Sequence, residues 1–272
     1  MRIAFIGGGN MASALVGGLL NNGFAAEQIA VVEVDSGARE RLSAAFGVHV
    51  TDELARGVSE STLIVLAVKP QNVREVSQQL RPLLAGQLLV TIAAGIRTPD
   101  LSRWLGGYAR VVRVMPNTPA LVRAGMSALY AMPEVGADDR ARADAILSAV
   151  GATLWVARED LMDAVTAVSG SGPAYVFYFM EAMQQAAAEL GLTAEHARQL
   201  TQHTFLGAAL LAQQGSDPPD VLRARVTSKG GTTERALKSL DEDAVKARIV
   251  RAIQHAAERS RELGEEFGRE PG

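Results

Sequence analysis

Residues 1–12 read Met1-Arg2-Ile3-Ala4-Phe5-Ile6-Gly7-Gly8-Gly9-Asn10-Met11-Ala12. Ile3 to Ile6 form an apolar run that is too short for a helix before the glycines begin, the pattern of a buried parallel strand. Gly7 to Ala12 supply G-x-G-x-x-A, and helical apolar spacing follows through Ala14, Leu15, Leu19 and Leu20 to Gly23. Strand, glycine turn and helix in this order form a dinucleotide-binding fingerprint. Gly7 permits the tight turn, Gly9 lets a pyrophosphate approach the backbone, and Ala12 allows close helix–strand packing. The unpaired N–H groups at the helix start face phosphate charge. Ile6, Gly7, Gly8, Gly9, Asn10 and Met11 are therefore candidate cofactor-binding residues, the alternative being an ordinary glycine-rich turn.

Outward from this stretch, strand and helix signals alternate to about residue 155. Ile29–Val34, Thr62–Val68, Gln87–Ile92 and Arg110–Met115 read as further strands, the Thr62 run being continuously apolar. Residues 126–130 and 153–156 add strands at the sheet's edge. This alternation specifies an open, mostly parallel sheet covered by helices. After about residue 160 the strand signals stop. Residues 174–190, 194–213, 219–225 and 243–265 read as helices, with breaks at Gly191-Leu192-Thr193 and Gly215–Pro219. The expected fold class is α/β: an N-terminal Rossmann-like domain over residues 1–158 and an all-helical domain over 159–272. The charged residues after Gly264 are expected to fray.

Composition narrows the chemistry. Apolar residues make up 48% of 272 and charged residues 21%, enough for a full core. A net charge of −3 gives no support to a polyanion-binding surface, so no nucleic-acid partner is expected. There is no cysteine, which excludes disulfides, thiolate catalysis and Cys-ligated zinc. The four histidines are scattered, and no metal site is expected. Glycines interrupt the first apolar run after four residues, so no signal peptide is read there. No stretch of about 18 apolar residues occurs. A cytoplasmic protein with no membrane association is expected.

Four further segments lie at strand ends, where open sheets bind ligands. Glu33, at the end of the second strand, can bind an adenine ribose 2′-OH and would repel a 2′-phosphate. Asp35 is close enough to exchange roles with it, and Arg39 could receive a phosphate, so the cofactor's phosphate state stays open. Ala67-Val68-Lys69-Pro70 closes the Thr62 strand; Lys69 can contact a phosphate or ribose, and Pro70 opens the next helix. Ala93-Ala94-Gly95 offers three small residues where a flat ring can approach the backbone. Met115-Pro116-Asn117-Thr118-Pro119 follows, and Asn117 can bond to a nicotinamide carboxamide or to a substrate. In the helical half, Thr227–Glu234 places glycines before a helix start. The N–H groups of Gly230, Gly231 and Thr232 there suit a small carboxylate, the alternative being a turn capped by Thr232 or Thr233.

Taken together, Ile6–Ala12, Ala67–Pro70, Ala93–Gly95, Met115–Pro119, Asp163–Thr166, Ser169-Gly170-Ser171-Gly172-Pro173-Ala174-Tyr175 and Gly230-Gly231-Thr232-Thr233 resemble the pyrroline-5-carboxylate reductase family, in order and over nearly the whole chain. The resemblance implies reduction of 1-pyrroline-5-carboxylate to L-proline by NADPH or NADH, the last step of proline biosynthesis; such reductases commonly favour NADPH. It implies that Thr233 lies near the ring nitrogen as the catalytic residue, orienting and polarising it. It further implies that Gly230, Gly231 and Thr232 hold the substrate, that Glu159 contacts it, and that Asn117 lies in a cofactor-facing loop. A helical dimerisation domain is implied too, giving a homodimer or a decamer.

Two departures stand out. Where the family usually has Ser-Pro-Gly-Gly, this chain has Ser228-Lys229-Gly230-Gly231, which adds a cation beside the expected carboxylate site. Arg225 stands where some relatives carry a substrate-contacting Asn. Two other readings were weighed. A β-hydroxyacid dehydrogenase-like enzyme needs a lysine early in its helical domain, yet no lysine lies between 69 and 229. A non-catalytic nucleotide sensor would not need the Gly230–Thr233 loop.

Overall fold

The computed structural model describes residues 1–269. Eight strands form one sheet: β1 (Ile3–Ile6), β2 (Ile29–Val32), β3 (His49–Thr51), β4 (Leu63–Leu66), β5 (Leu88–Thr91), β6 (Val111–Met115), β7 (Gly125–Ala131) and β8 (Gly151–Trp155). Their spatial order is β3-β2-β1-β4-β5-β6-β7-β8. Strands β1 to β6 are parallel, β7 is antiparallel to β6, and β8 is parallel to β7. The first six follow the Rossmann order, which reverses direction between β1 and β4. Helices α1 (Asn10–Asn21), α2 (Ser36–Phe46), α3 (Leu54–Val58), α4 (Pro70–Leu80), α5 (Thr98–Trp104) and α6 (Ala137–Leu147) fill the connections.

The continuous apolar strands divide their side chains between two cores. Ile3, Phe5, Leu63, Val65, Leu88 and Val90 face one, with Ala12, Leu15, Val16 and Leu19 of α1. Ala4, Ile6, Ile64, Leu66 and Leu89 face the other, with Val73 and Leu80 of α4 and Leu101 and Trp104 of α5. A fully buried Leu or Phe contributes about 1.5–3 kcal/mol, so packing on both faces fixes β1 where four residues of propensity could not. The in-register pairs Ile6↔Val32 and Ile6↔Leu66 bring the ends of β2, β1 and β4 to one edge.

The remaining helices are α7 (Leu161–Val165), α8 (Gly172–Glu189), α9 (Ala194–Gln214), α10 (Pro219–Arg225), α11 (Thr232–Glu242) and α12 (Val245–Gly268). A π-helical stretch, Thr166–Gly170, follows α7. The chain forms two compact units, one of Met1–Ser171 with the residues from Ala256 onward, the other Gly172–His255. In the second, α8 and α9 form a helical hairpin closed by Leu190–Thr193, where the Thr193 hydroxyl accepts the N–H of His196 and caps α9.

Two expectations are corrected. β3 and α3, over residues 49–58, did not register as elements, because a three-residue strand shows no usable alternation. The fraying expected after Gly264 does not occur before Gly268, because the part of α12 from Ala256 onward is bonded within the first unit. Arg97 Nη2 donates to Arg261 O (2.9 Å), Arg103 Nη2 donates to Gly268 O (2.8 Å), and Ser260 Oγ bonds to Asp163 Oδ1 (2.7 Å). The rest of that expectation, residues 270–272, lies outside the described residues.

Candidate active site

In the first unit the glycine turn leaves β1 with Gly7 at φ +99°, a left-handed conformation that a side chain would strain. A Cβ on Gly7 would also stand 2.8 Å from Ala67 O. The turn is tied to both neighbouring strands: Gly7 N donates to Val32 O and Ala67 N donates to Ile6 O, each at 2.8 Å. A cavity of about 340 Å³ opens here, lined by Ile6, Gly7, Gly8, Gly9, Glu33, Ala67, Val68 and Lys69, with Val34, Asp52 and Asn72 among its other walls. A Cβ on Gly9 would meet nothing within 4 Å, so the turn presents bare backbone to this space. No side chain caps α1 and its first turn carries no acid, which leaves its N–H groups for an anion. Bare backbone, an uncapped helix start and a cavity at the reversal of strand order together fit a dinucleotide. A hollow of about 290 Å³ at the other ends of the strands, lined by Arg2, Glu27, His49 and Arg56, has no glycine turn.

Glu33 is half-buried directly after β2, and its carboxylate turns onto the glycine loop. Oε2 accepts the N–H of Gly8 (2.8 Å) and Oε1 that of Asp35 (3.0 Å). Asn10 and Met11 begin α1 beside this cavity's glycines without lining it, and Pro70 opens α4 at its first position.

The later loops are held by contacts within the chain. Ala93 is buried and Ala94 exposed after β5. The flat ring that approaches Gly95 is the chain's own Phe267: a Cβ on Gly95 would lie 3.1 Å from Phe267 Cδ2 and 3.5 Å from Leu263 Cβ. These two side chains cover the Cβ side of Gly95. The side chain of Asn117 is likewise engaged. Its Oδ1 accepts Met126 N–H (2.8 Å) and its Nδ2 donates to Ser169 Oγ (3.2 Å), pinning the loop after β6. Glu159 is drawn inward. Oε1 accepts from Thr98 N (2.7 Å) and Arg113 Nη1 (2.9 Å), and Oε2 accepts from Thr98 Oγ1 (2.7 Å). Its carboxylate holds the start of α5 and a buried arginine of β6. Nothing local in the sequence marks Thr98 or Arg113, since they lie 61 and 46 residues from Glu159.

In the second unit, Gly230 at φ +75° and Gly231 form the turn before α11. Gly231 is the cap residue and no side chain caps the helix, so neither Thr232 nor Thr233 takes the capping role that was the alternative reading. Thr233 is half-buried and Thr232 exposed. Glu234 Oε2 accepts the N–H of Gly230 (2.7 Å), so a carboxylate already rests on one donor of this turn. Lys229 and Arg225 are exposed, and Arg225 pairs with Asp217 (2.5 Å). Among the described residues, α8 to α11 bury only Ala197 and Thr201. Phe177, Tyr178, Leu206, Leu210 and Leu211 are exposed. Helices this apolar without a core of their own form an association surface.

Fold and glycine turn place the protein among the NAD(P)H-dependent oxidoreductases, and residues 2–95 match the NADP oxidoreductase (coenzyme F420-dependent) family. A pyrroline-5-carboxylate reductase of Pseudomonas aeruginosa is 47% identical over 268 residues, 98% of each chain. The chain belongs to the pyrroline-5-carboxylate reductase family. Residues 159–263 match its dimerisation region, consistent with self-association. Among solved structures, a pyrroline-5-carboxylate reductase of Coxiella burnetii superposes with a TM-score of 0.92 at 42% identity, covering 96% of this chain and 98% of that one. The Plasmodium falciparum enzyme, solved with NADP bound, gives 0.86 at 28%, covering 97% and 98%. No helix among the described residues is long and apolar enough to cross a membrane.

Proposed function

We propose that the chain reduces 1-pyrroline-5-carboxylate to L-proline with NADPH or NADH, the last step of proline biosynthesis, in the cytoplasm. The observation that carries this reading is the family membership over 98% of the chain with the Gly230–Thr233 loop intact. The uncommitted hydroxyls of Thr232 and Thr233 support it, because a plain capped turn would have used one of them. The backbone of Ile6–Met11, with Glu33, Ala67–Pro70, Ala93 and Ala94, would hold the dinucleotide, and Asn117 would set the loop beside it. When bound, the nicotinamide supplies the hydride that reduces the C=N carbon.

The residues of the chain bind and orient. The turn of Gly230, Gly231 and Thr232 would take the ring carboxylate, through the Thr232 N–H and, where the ring carboxylate displaces that of Glu234, the Gly230 N–H. Thr233 would hold the ring nitrogen, which is readily protonated before it accepts a hydride at the neighbouring carbon. A hydroxyl titrates too far above neutrality to serve as the acid, so Thr233 polarises and orients while water supplies the proton. Glu159 acts through Thr98 and Arg113 as a positioning residue. Residues 1–158 serve the cofactor and 159–272 the substrate and the homodimer, which can assemble further into a decamer.

Proline formation from pyrroline carboxylate with each cofactor tests the reading, and no proline with either overturns it. Thr233→Ala is expected to lower kcat about 10–100-fold, the worth of one hydrogen bond to a charged group. A near-normal kcat removes only the role given to Thr233.

A further inference from the structure

We propose that this chain selects the dinucleotide without a 2′-phosphate, NADH, and that Glu33 is the residue that enforces the choice. The inference rests on the reductase reading for its assay, but its geometry belongs to the cofactor cavity alone. Glu33 follows the last residue of β2, where the adenine ribose of a Rossmann ligand lies. Two backbone donors, Gly8 N–H and Asp35 N–H, fix its carboxylate. A carboxylate has about four lone-pair sites, so two remain to accept ribose hydroxyls. A phosphate at the same place would bring roughly two negative charges against an anchored one.

Arg39, the cation nearest the end of β2, is already committed. Arg39 Nη1 donates to the carbonyls of Glu33 and Val34, both at 2.9 Å, and Nη2 lies 3.2 Å from Asp52 Oδ2. It staples the loop after β2 and is neutralised there. The start of α2, the other natural phosphate acceptor, holds its own anion: Asp35 Oδ1 accepts Ala38 N–H at 2.6 Å. Arg41 reaches that same carboxylate at 3.9 Å and is otherwise in solvent. Lys69 follows β4, two strands from β2 in the order β2-β1-β4, about 9–10 Å away at the usual strand spacing. Among the described residues, the ribose end of the cavity therefore presents the carboxylate of Glu33, with Arg39 paired to Asp52 and Arg41 lying outside the cavity's lining beside Asp35.

The test is kcat/KM and the dissociation constant of the full-length enzyme for NADH and for NADPH, the latter read by nicotinamide fluorescence. NADH is expected to be favoured by about 10–100-fold, in line with the cost of juxtaposing like charges. Glu33→Gln keeps an acceptor for Gly8 N–H and should bring the two cofactors to within a few-fold. Equal or better use of NADPH by the unmodified enzyme overturns the proposal. A preference unchanged in Glu33→Gln overturns the role of Glu33. If no proline forms with either cofactor, the reductase reading fails, while the binding ratio still decides this one.

Discussion

Arg113 and Glu159 form a salt bridge in the interior of the first unit, with side chains 6% and 17% exposed and 2.9 Å apart. Such a pair adds little net stability when intact, but removing one partner strands the other and costs about 3–5 kcal/mol. Arg113→Ala should lose that amount in urea unfolding, whereas Arg113→Lys should lose less. Lys229 is a residue of the opposite kind, exposed and outside the hydrogen-bond network. If it attracts the substrate carboxylate, Lys229→Pro, which restores the family's usual residue, should raise KM several-fold and leave kcat nearly unchanged. An unaltered KM would remove Lys229 from the site. The candidate residues legible in the sequence were those whose role is written in backbone, such as Gly7, Gly9 and Gly230. The partners of Asn117 and Glu159 were not legible because they are distant in sequence, and a side chain's engagement cannot be read from its neighbours along the chain.

At the scale of elements, α12 carries the largest difference from expectation. A run of charged residues after Gly264 reads as a fraying tail, and its hydrogen bonds to Arg97 and Arg103 are long-range. Phe267 packs on the core that contains Ile96, Leu101 and Trp104. Phe267→Ala should therefore destabilise the protein by about 1–3 kcal/mol, less than a fully buried phenylalanine would cost. It should also raise the KM for the dinucleotide by loosening Gly95. A melting temperature that does not move would show that the hydrogen bonds alone hold α12. The strands β1, β2 and β4 were legible because burial on both faces leaves a continuous apolar run. β3 was not, since three residues suffice once β2 offers an edge to pair with.

At the scale of the whole molecule, the helical unit is the one that cannot stand alone. Leu206 and Leu210 are 56% and 43% exposed one turn apart on α9, beside Leu211 at 66%. Replacing Leu206 or Leu210 by Glu should shift the protein toward monomer in sedimentation equilibrium, with activity falling in parallel. A mass unchanged by both substitutions would place the association surface elsewhere on the helices. Its apolar composition was visible in the sequence; which residues remain uncovered was not, because helical periodicity says only that a face is apolar.

The first compact unit is discontinuous: its sheet is encoded before residue 172 and its last helical segment after residue 255. During synthesis the whole sheet is made while the segment that seals Gly95 is still about eighty residues from being added, the length of the intervening helical unit. Completion of the Rossmann unit therefore waits on residues made after the helical unit. A chain that stops before Ala256 would carry a sheet whose Gly95 loop lacks the cover of Leu263 and Phe267.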